Sequence, residues 1–278
     1  MSTGTDLTAR YGPWALVVGA SDGVGAAFAD ALAAGGLDVV LLARREAVLE
    51  EVAAGIRERH GVRTRVLALD LTRPDAGTTI TDAVADLEIG FLVHCAGADP
   101  VYQPFLAQSV EVAEAMVHRN CTVLVQLCHI LGGPMAERGR GGIVVFGSGA
   151  GFAGAPNMVA YGASKAFDMV FAESLWCELQ PRGVDVLGLV LGETDTPGLR
   201  RLRHQRGLAA GPDVPAKGAA KPEAVVAEAL AHLGKGPVRL AHPQLRIGAR
   251  LFFPMGRNRL VRLFSTMSAR AMGPDPAP

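Results

Sequence analysis

The sequence of 278 residues has few aromatic side chains and no net charge. Phe, Trp and Tyr together make up 5% of it, only three residues are tyrosines, and 27 basic residues balance 27 acidic ones. Nucleic-acid binding through the charge of a whole chain needs an excess of Lys and Arg, so this balance argues against a nucleic-acid-binding protein. A hydrophobic fraction of 49% argues against disorder and is sufficient for one large core.

Patterns typical of disulfides, metal sites and export are also missing. The four cysteines, Cys95, Cys121, Cys128 and Cys177, form no C-x-x-C pair and lie in apolar stretches, where cysteine usually behaves as a small buried hydrophobe. The seven histidines show no metal-ligand spacing, and the N-terminus has no basic segment before an apolar run with a cleavage site. We therefore expect a cytoplasmic protein without a bound metal.

What the chain does contain is a regular alternation of short apolar runs and alanine-rich stretches. Runs rich in β-branched residues occupy 14–19, 37–43, 64–70, 90–95, 142–147 and 184–190, and apolar residues recur at helical spacing over 23–35 and 46–60. The runs lack polar alternation, as expected of parallel strands covered on both faces. The pattern predicts an α/β fold: a single doubly wound Rossmann-type domain over residues 1–240, with a parallel sheet of about seven strands and helices on both faces.

Two later regions differ in composition. Residues 192–221 are rich in Gly, Pro and Arg and predict a flexible lid, and Pro222 starts another helix. The lid arginines, Arg200, Arg201, Arg203 and Arg206, either attract an anionic substrate such as an acyl thioester or form a solvated basic face. Residues 241–278 form an Arg-rich extension that covers the substrate cleft or a subunit interface. Contact with an anionic membrane surface or an acyl carrier is the less favoured alternative.

A glycine-rich turn follows the first predicted strand. The motif "GASDGVG" contains Gly19, Ser21, Asp22, Gly23, Val24 and Gly25. Glycines allow a tight turn from strand to helix and a close approach of a pyrophosphate to the helix N-terminus. The spacing G-x-x-x-G-x-G differs from the common G-x-G-x-x-G, so a turn without a ligand remains the alternative.

The residues after the second and third strands bear on the choice of cofactor. Arg44 and Arg45 stand where an adenosine ribose is expected, and arginine there favours the 2′-phosphate of NADP(H), with NAD(H) as the alternative and two solvated arginines as the structural explanation. Asp70 either accepts a hydrogen bond from adenine or serves a helix cap or turn, and the local sequence leaves both open.

A tyrosine and a lysine four residues apart, Tyr161 and Lys165, lie on one face of a predicted helix. A phenol near a fixed cation is better able to exchange a proton with a carbonyl oxygen during hydride transfer. Ser148, just after the fifth strand, is placed to hold that oxygen. The small residues Gly162, Ala163 and Ser164 are expected to let this helix lie close to the cofactor. Taken alone, the pair also fits an ordinary helix surface.

Together these motifs resemble the short-chain dehydrogenase/reductase family from about residue 13 to 240. The resemblance implies a catalytic set of Asn120, Ser148, Tyr161 and Lys165, with Asn120 holding a water in a proton relay. Two segments depart from the usual family sequence: His94, Cys95, Ala96 and Gly97 replace Asn-Asn-Ala-Gly, and Leu191-Gly192 replaces Pro-Gly. The cofactor-binding residues it implies are Gly19, Ser21, Asp22, Gly23, Val24, Gly25, Arg44, Arg45, Asp70, Leu71, Cys95, Ala96, Gly97, Tyr161, Lys165, Gly192, Thr194 and Thr196.

The resemblance implies an NADP(H)-dependent oxidoreductase that interconverts a ketone or aldehyde with an alcohol. The branch it is most similar to contains hydroxysteroid dehydrogenases and 3-oxoacyl-thioester reductases, which implies an apolar substrate. It also implies a homodimer or homotetramer that pairs through helices around 108–136 and 160–180. His94 is interpreted as a packed or cofactor-lining residue. The alternative function is a catalytically reduced, cofactor-sensing regulator or scaffold on the same fold.

Overall fold

Seven parallel strands form one sheet at the centre of the structure, a computed structural model that describes residues 7–98, 102–252 and 254–273. The strands are β1 Trp14–Val18, β2 Asp38–Ala43, β3 Thr64–Ala68, β4 Ile89–His94, β5 Gly141–Ser148, β6 Val184–Leu191 and β7 Val238–Leu240. Their order across the sheet is β3-β2-β1-β4-β5-β6-β7, and every neighbouring pair is parallel. The predicted doubly wound sheet is confirmed.

Helices lie between consecutive strands, and further helices precede β1 and follow β7. They are α1 Thr8–Tyr11, α2 Gly23–Ala34, α3 Glu46–His60, α4 Ala76–Ala83, α5 Val110–Val117, α6 Val123–Arg138, α7 Val159–Leu179, α8 Pro197–Gln205, α9 Pro222–His232, α10 Pro243–Phe252 and α11 Arg257–Met272. A π-helical turn, His118–Thr122, joins α5 to α6. The helices predicted over 23–35 and 46–60 therefore begin where the sequence placed them.

The sheet separates two hydrophobic cores. Ala15 and Val17 of β1 contact one core, in which α2, α3 and α9 bury residues such as Phe28 and Ile56. Leu16 and Val18 contact the other, which is filled by α4, α6 and the inner side of α7. Since every residue of β1 is buried, the absence of polar alternation in its sequence follows directly from this sandwich.

The predicted lid contains more regular structure than expected. Helix α8 lies inside 192–221, and Thr194 forms an isolated parallel bridge with Ala220. The Thr196 hydroxyl accepts a hydrogen bond from Leu199 N at 3.2 Å and so caps α8. Helix α9 begins at Pro222, as the sequence predicted.

The cysteines only partly follow the sequence interpretation. Cys128 is buried and Cys95 and Cys121 are partly buried, whereas Cys177 is exposed. The expectation of burial is therefore wrong for Cys177, because it lies on the outer side of α7 near the C-terminal end of that helix. None of the helices in the described ranges is long and apolar enough to cross a membrane.

Candidate active site

The glycine turn joins β1 to α2 at the carboxyl edge of the sheet. Gly19 N and Ala20 N both donate to Leu42 O, at 2.7 and 3.0 Å, which fixes the turn against β2. Gly19 has a φ of +92°, and a Cβ there would lie 3.0 Å from Ala96 N. A Cβ on Gly25 would lie 2.1 Å from Gly19 O. Side chains are therefore excluded at both positions by the neighbouring backbone, and glycine allows the turn to pack this tightly.

The N-terminus of α2 faces this turn. Asp22 occupies the N-cap position but makes no side-chain capping bond, so the first N–H groups of α2 are available to an anion. Val24 is 5% exposed and belongs to a core, so a ligand would meet its backbone and not its side chain.

Arg45 lies beside the glycine turn. Its Nη2 donates to Asp22 Oδ2 at 2.5 Å and to Ser21 Oγ at 3.0 Å, and its side chain remains about half exposed. Arg44 is exposed at the end of β2. A guanidinium and a hydroxyl therefore lie together near the end of β2, and the Asp22 carboxylate is bonded to the same guanidinium.

Asp70 has a local structural role. Its Oδ1 accepts hydrogen bonds from Thr72 N and Thr72 Oγ1, both at 3.0 Å. The bond from the Thr72 backbone holds the pKa of the Asp70 carboxyl below its usual value. The turn explanation for Asp70 is thus observed, and contact with adenine stays a prediction. Leu71 is 6% exposed and packs in a core, which leaves its backbone for any ligand contact.

Helix α7 lies against the loop after β5, and this contact brings Tyr161 and Ser148 to one place. A Cβ on Gly151 would lie 2.7 Å from Lys165 C, and one on Gly162 would lie 3.1 Å from Ala150 O. Gly162 therefore also allows the close approach of α7 to this loop, and its expected closeness to a cofactor stays a prediction. Ser148 Oγ accepts from Ala150 N at 3.2 Å and stands at the end of β5.

Lys165 is held by two acceptors inside the protein. Its Nζ donates to Phe146 O and to Asp168 Oδ2, both at 2.8 Å. The Lys165 and Asp168 side chains are 5% and 1% exposed. Burial raises the pKa of the Asp168 carboxyl, and the neighbouring ammonium only partly opposes this. The sequence interpretation missed Asp168, although an acid three residues after the lysine in an apolar helix was a visible signal.

Asn120 is buried in the π-helical turn between α5 and α6. Its Nδ2 donates to Ser164 Oγ at 2.9 Å and to Gly97 O at 3.4 Å, and Ser164 Oγ donates in turn to Tyr161 O at 2.8 Å. Asn120 is thus connected to the backbone of Tyr161 through Ser164. Turns of this type occur frequently at functional sites because the extra residue redirects a side chain.

The loop after β4 passes between these groups and the glycine turn. Cys95 N donates to Val18 O at 2.9 Å, Ala96 lies against Gly19, and a Cβ on Gly97 would lie 2.6 Å from Asn120 Oδ1. His94 is 1% exposed, and burial lowers its pKa to about 3. His94 is therefore a neutral, packed residue.

The loop after β6 completes the edge. A Cβ on Gly23 would lie 2.8 Å from the Thr196 methyl group, so this loop touches the glycine turn. Thr194 is 6% exposed and donates to Gly192 O at 3.3 Å. The loops after β1, β4, β5 and β6 therefore meet at one edge of the sheet. The four predicted catalytic residues lie on these loops or on helices that contact them.

Most lid arginines are engaged within the protein. Arg200 pairs with Asp195 at 2.7 Å and lowers the pKa of that carboxyl to about 2, and Arg203 lies 3.6 Å from Glu193. Arg206 donates to Met272 O and Gly273 O at 2.5 and 3.1 Å. These bonds favour a structural role over attraction of an anionic substrate.

The tail helices lie next to the loops of the site. Arg257 donates to Phe152 O at 2.7 Å, just after the loop that carries Ser148. The Leu245 side chain of α10 lies 3.4 Å from where Cβ atoms on Gly149 and Gly192 would be. The Tyr102 hydroxyl is 2.6 Å from Ser268 Oγ. Arg206 and Tyr102 therefore connect the lid, the loop after β4 and α11.

A small pocket of about 20 Å³ lies beside Tyr161, between the loop after β4, α5 and the start of α7. Its wall is largely apolar and includes Phe105, Met116 and Val159, with Gln103, Gln108 and Asn157 as polar residues. The tyrosine thus borders a small, largely apolar space.

Known proteins resemble this chain over most of its length. A family model described as short chain dehydrogenase matches residues 13–207. A 7beta-hydroxysteroid dehydrogenase from Collinsella aerofaciens is 36% identical over 232 residues, which are 83% of this chain and 86% of the relative.

Solved structures agree with this. One from a study of 7beta-hydroxysteroid dehydrogenase stereoselectivity has a TM-score of 0.84 at 32% identity, with 93% of this chain and 99% of that chain covered. A short-chain dehydrogenase from Sphingobium yanoikuyae in complex with NADPH has a TM-score of 0.76 at 30% identity, with 89% and 94% covered.

Proposed function

Because the chain belongs to the short chain dehydrogenase family and is an NAD(P)-dependent oxidoreductase of that family, we propose that it reduces bulky apolar ketones with NADPH, or oxidises the corresponding alcohols. The observation that carries the proposal is the placement of Tyr161, Lys165 and Ser148 where α7 meets the end of β5. This is the edge at which doubly wound sheets bind their ligands.

The residues present fit a dinucleotide. The glycine turn is tight, since a Cβ at Gly19 or Gly25 would clash with Ala96 N or Gly19 O, and the N-terminus of α2, which has no side-chain cap, attracts a pyrophosphate. The loops after β4 and β6 lie next to this turn, since Ala96 packs against Gly19 and Thr196 against Gly23. Cys95, Gly97, Gly192 and Thr194 of the same loops are therefore part of the proposed cofactor site. A bound nicotinamide dinucleotide supplies or accepts the hydride.

Each of the three residues Tyr161, Ser148 and Lys165 has its own role in the proposed reaction. Tyr161 donates a proton to the carbonyl oxygen during reduction and takes it back during oxidation. Ser148 holds that oxygen by a hydrogen bond. Lys165 keeps a positive charge beside the phenol, which favours its proton exchange, and has an N–H donor left for the cofactor ribose. Asn120 fixes the start of α7 through Ser164.

The choice of NADPH rests on Arg45 and Ser21. A guanidinium bound to a hydroxyl at the end of β2 offers several donors to the 2′-phosphate that distinguishes NADPH from NADH. The relative from Sphingobium yanoikuyae binds NADPH on the same fold. Asp22 competes for Arg45 in this structure, and a phosphate that carries more charge is expected to displace it.

A bulky apolar substrate, such as a steroid or a 3-oxoacyl chain, is proposed from the apolar character of the surroundings of Tyr161, although the pocket of about 20 Å³ would have to widen to admit it. The pocket beside the phenol has an apolar wall, and the tail places α10 and α11 over the neighbouring loops. The name of the Collinsella aerofaciens relative supports a steroid. The same contacts support a tail that covers the cleft over one that binds a membrane.

A homodimer or homotetramer is part of the proposal. Helices α5, α6 and α7 expose apolar side chains on their outer faces, as monomeric proteins rarely do over a large continuous area. These side chains are Val112, Val117, Val125, Ile130, Phe167 and Val170.

A panel of ketones tests the function directly. Steroid ketones, 3-oxoacyl thioesters and small aliphatic ketones would each be incubated with enzyme and with NADPH or NADH, and cofactor absorbance would be followed. We expect turnover of the bulky apolar ketones with NADPH and at least about tenfold lower kcat/KM with NADH. Tight NADPH binding without turnover of any carbonyl would favour the regulator alternative and contradict the proposal.

Arg45→Ala tests the cofactor preference. Loss of the guanidinium is expected to raise KM for NADPH by about tenfold or more, since a charge-assisted contact to phosphate contributes roughly 1.5–3 kcal/mol. KM for NADH should change little. Arg57→Ala on the same helix is the matched control, because Arg57 bonds Thr64 away from the turn. An equal rise of KM for both cofactors would contradict the assignment of Arg45.

A further inference from the structure

The geometry points to Asp168 as a positioning residue that holds the ammonium of Lys165 in place for the reaction, an inference that rests on the proposed function. Asp168 lies one helical turn beyond Lys165 on α7, and its Oδ2 accepts from Lys165 Nζ at 2.8 Å. It touches neither the glycine turn nor the pocket beside Tyr161. Its action is therefore through Lys165.

Burial makes this pair unusual. Of the side chains described, Lys165 and Asp168 form the most deeply buried ion pair, at 5% and 1% exposed. A buried ion pair is weak evidence for stability, because removing both charges from water costs about as much as their attraction returns. The second oxygen, Asp168 Oδ1, has no hydrogen-bond partner within the described ranges. A site selected only for stability would more readily hold an apolar residue here.

The other groups around the pair do not supply a negative charge. His94 of β4 is neutral because burial lowers its pKa to about 3. Burial raises the pKa of Cys121 to about 11 and raises that of Cys128 as well. Arg119 adds a positive charge on the side of Asn120. Of the side chains bonded to Lys165 in the described part of the chain, Asp168 alone is anionic.

The two bonds of Lys165 determine how it can act. An ammonium has three N–H donors, and Phe146 O and Asp168 Oδ2 accept two of them. We assign the remaining donor to the cofactor side of the site, since no further acceptor for Lys165 is found within the described part of the chain. With an uncharged partner at position 168, the desolvated ammonium would lose its strongest bond and shift toward the cofactor site.

Asp168→Asn keeps the size of the side chain and an oxygen acceptor but removes the charge. We expect kcat to fall by about tenfold and the Kd for NADPH, measured by fluorescence titration without substrate, to change by about threefold or more. The folded fraction, measured by circular dichroism, should stay close to that of the wild type. A purely structural role would lower the folded fraction and leave Kd and KM of the folded enzyme unchanged.

Asp185→Asn is the matched control. Asp185 is a part-buried carboxylate of β6 that bonds Tyr11 and Arg10 away from the site, so its neutral variant should lose stability and keep kcat and Kd. If Asp168→Asn does not fold, Asp168→Ser, which is smaller and uncharged, carries the same expectation.

Three results distinguish a failure of the inference about Asp168 from a failure of the proposed function. Wild-type kcat and Kd in Asp168→Asn would overturn the inference alone. Failure of both Asp168 variants to fold while Asp185→Asn folds would overturn it in favour of a structural role. A wild-type enzyme that neither binds NADPH nor reduces any ketone would contradict the proposed function instead.

Discussion

Tyr161→Phe is expected to lower kcat by about a thousandfold, because a positioned general acid contributes roughly 10²–10⁴ to a proton-transfer step. The substitution removes one oxygen atom and keeps the ring beside its apolar pocket. The glycine turn and Arg45 do not depend on this hydroxyl, since their bonds run to β2, Asp22 and Ser21. The Kd for NADPH should therefore stay within about threefold of the wild-type value.

Tyr11→Phe is the control for loss of a phenol hydroxyl elsewhere. Tyr11 is 3% exposed, and its hydroxyl donates to Asp185 Oδ2 at the start of β6, at 2.6 Å. That variant should lose about 1 kcal/mol of unfolding free energy and keep kcat. Single-turnover measurements with saturating NADPH would isolate the chemical step. Turnover of Tyr161→Phe within about tenfold of the wild type would show that another group transfers the proton.

The order of strands and helices was predictable because strands that are buried on both faces have continuous apolar sequences. Each of β1 to β6 is an apolar run with few polar residues, and Gly or Arg residues lie near the ends of these runs. β7 was not located in advance, since Val238–Leu240 has only three residues and all of them are half-buried. Helix α8 was missed because its arginines interrupt the apolar spacing, although Thr196 and Pro197 are a recognisable start of a helix.

Some residues of the candidate site could likewise be predicted from the sequence, and others could not. Tyr161, Lys165, Ser148 and Asn120 were identifiable from motifs whose spacing the chemistry requires, and the structure brings them to one edge. Asp168 was overlooked although its partner Lys165 is only three residues away. The contacts of Arg206 were not identifiable, because they run to backbone carbonyls, among them Met272 O, 66 residues later in the chain. Such contacts depend on how the lid and the tail pack, which no local sequence pattern indicates.

Lys165→Met should be the substitution that most damages stability, and it should also lower activity. It removes the cation beside Tyr161 and leaves the Asp168 carboxylate buried at 1% exposure without its partner. Breaking a buried ion pair by removing one member costs about 3–5 kcal/mol of unfolding free energy. Denaturant unfolding should show that loss, and kcat should fall at least about a hundredfold. Lys235→Met, at an exposed position, is the control and should change neither quantity.

Adding Asp168→Asn to Lys165→Met separates the two effects. The double variant no longer buries an unpaired carboxylate, so most of the lost stability should return while kcat remains low. A double variant that is less stable than Lys165→Met would show that the carboxylate does not depend on Lys165, and would contradict the pairing inferred from the structure.

The stability that Lys165→Met loses should depend on pH, because the unpaired Asp168 carboxyl can take up a proton. Burial already raises the pKa of Asp168, and loss of the ammonium removes the interaction that opposed this rise. A carboxyl whose pKa is higher in the folded than in the unfolded protein binds more protons when folded, so stability falls as pH rises. The window begins near the unfolded value of about 3.9 and ends above the raised folded value. Relative to the wild type, Lys165→Met should therefore lose less stability at pH of about 5 than at about 8. A loss independent of pH would show that Asp168 stays ionised in the folded variant across that range, and would contradict the expected rise of its pKa.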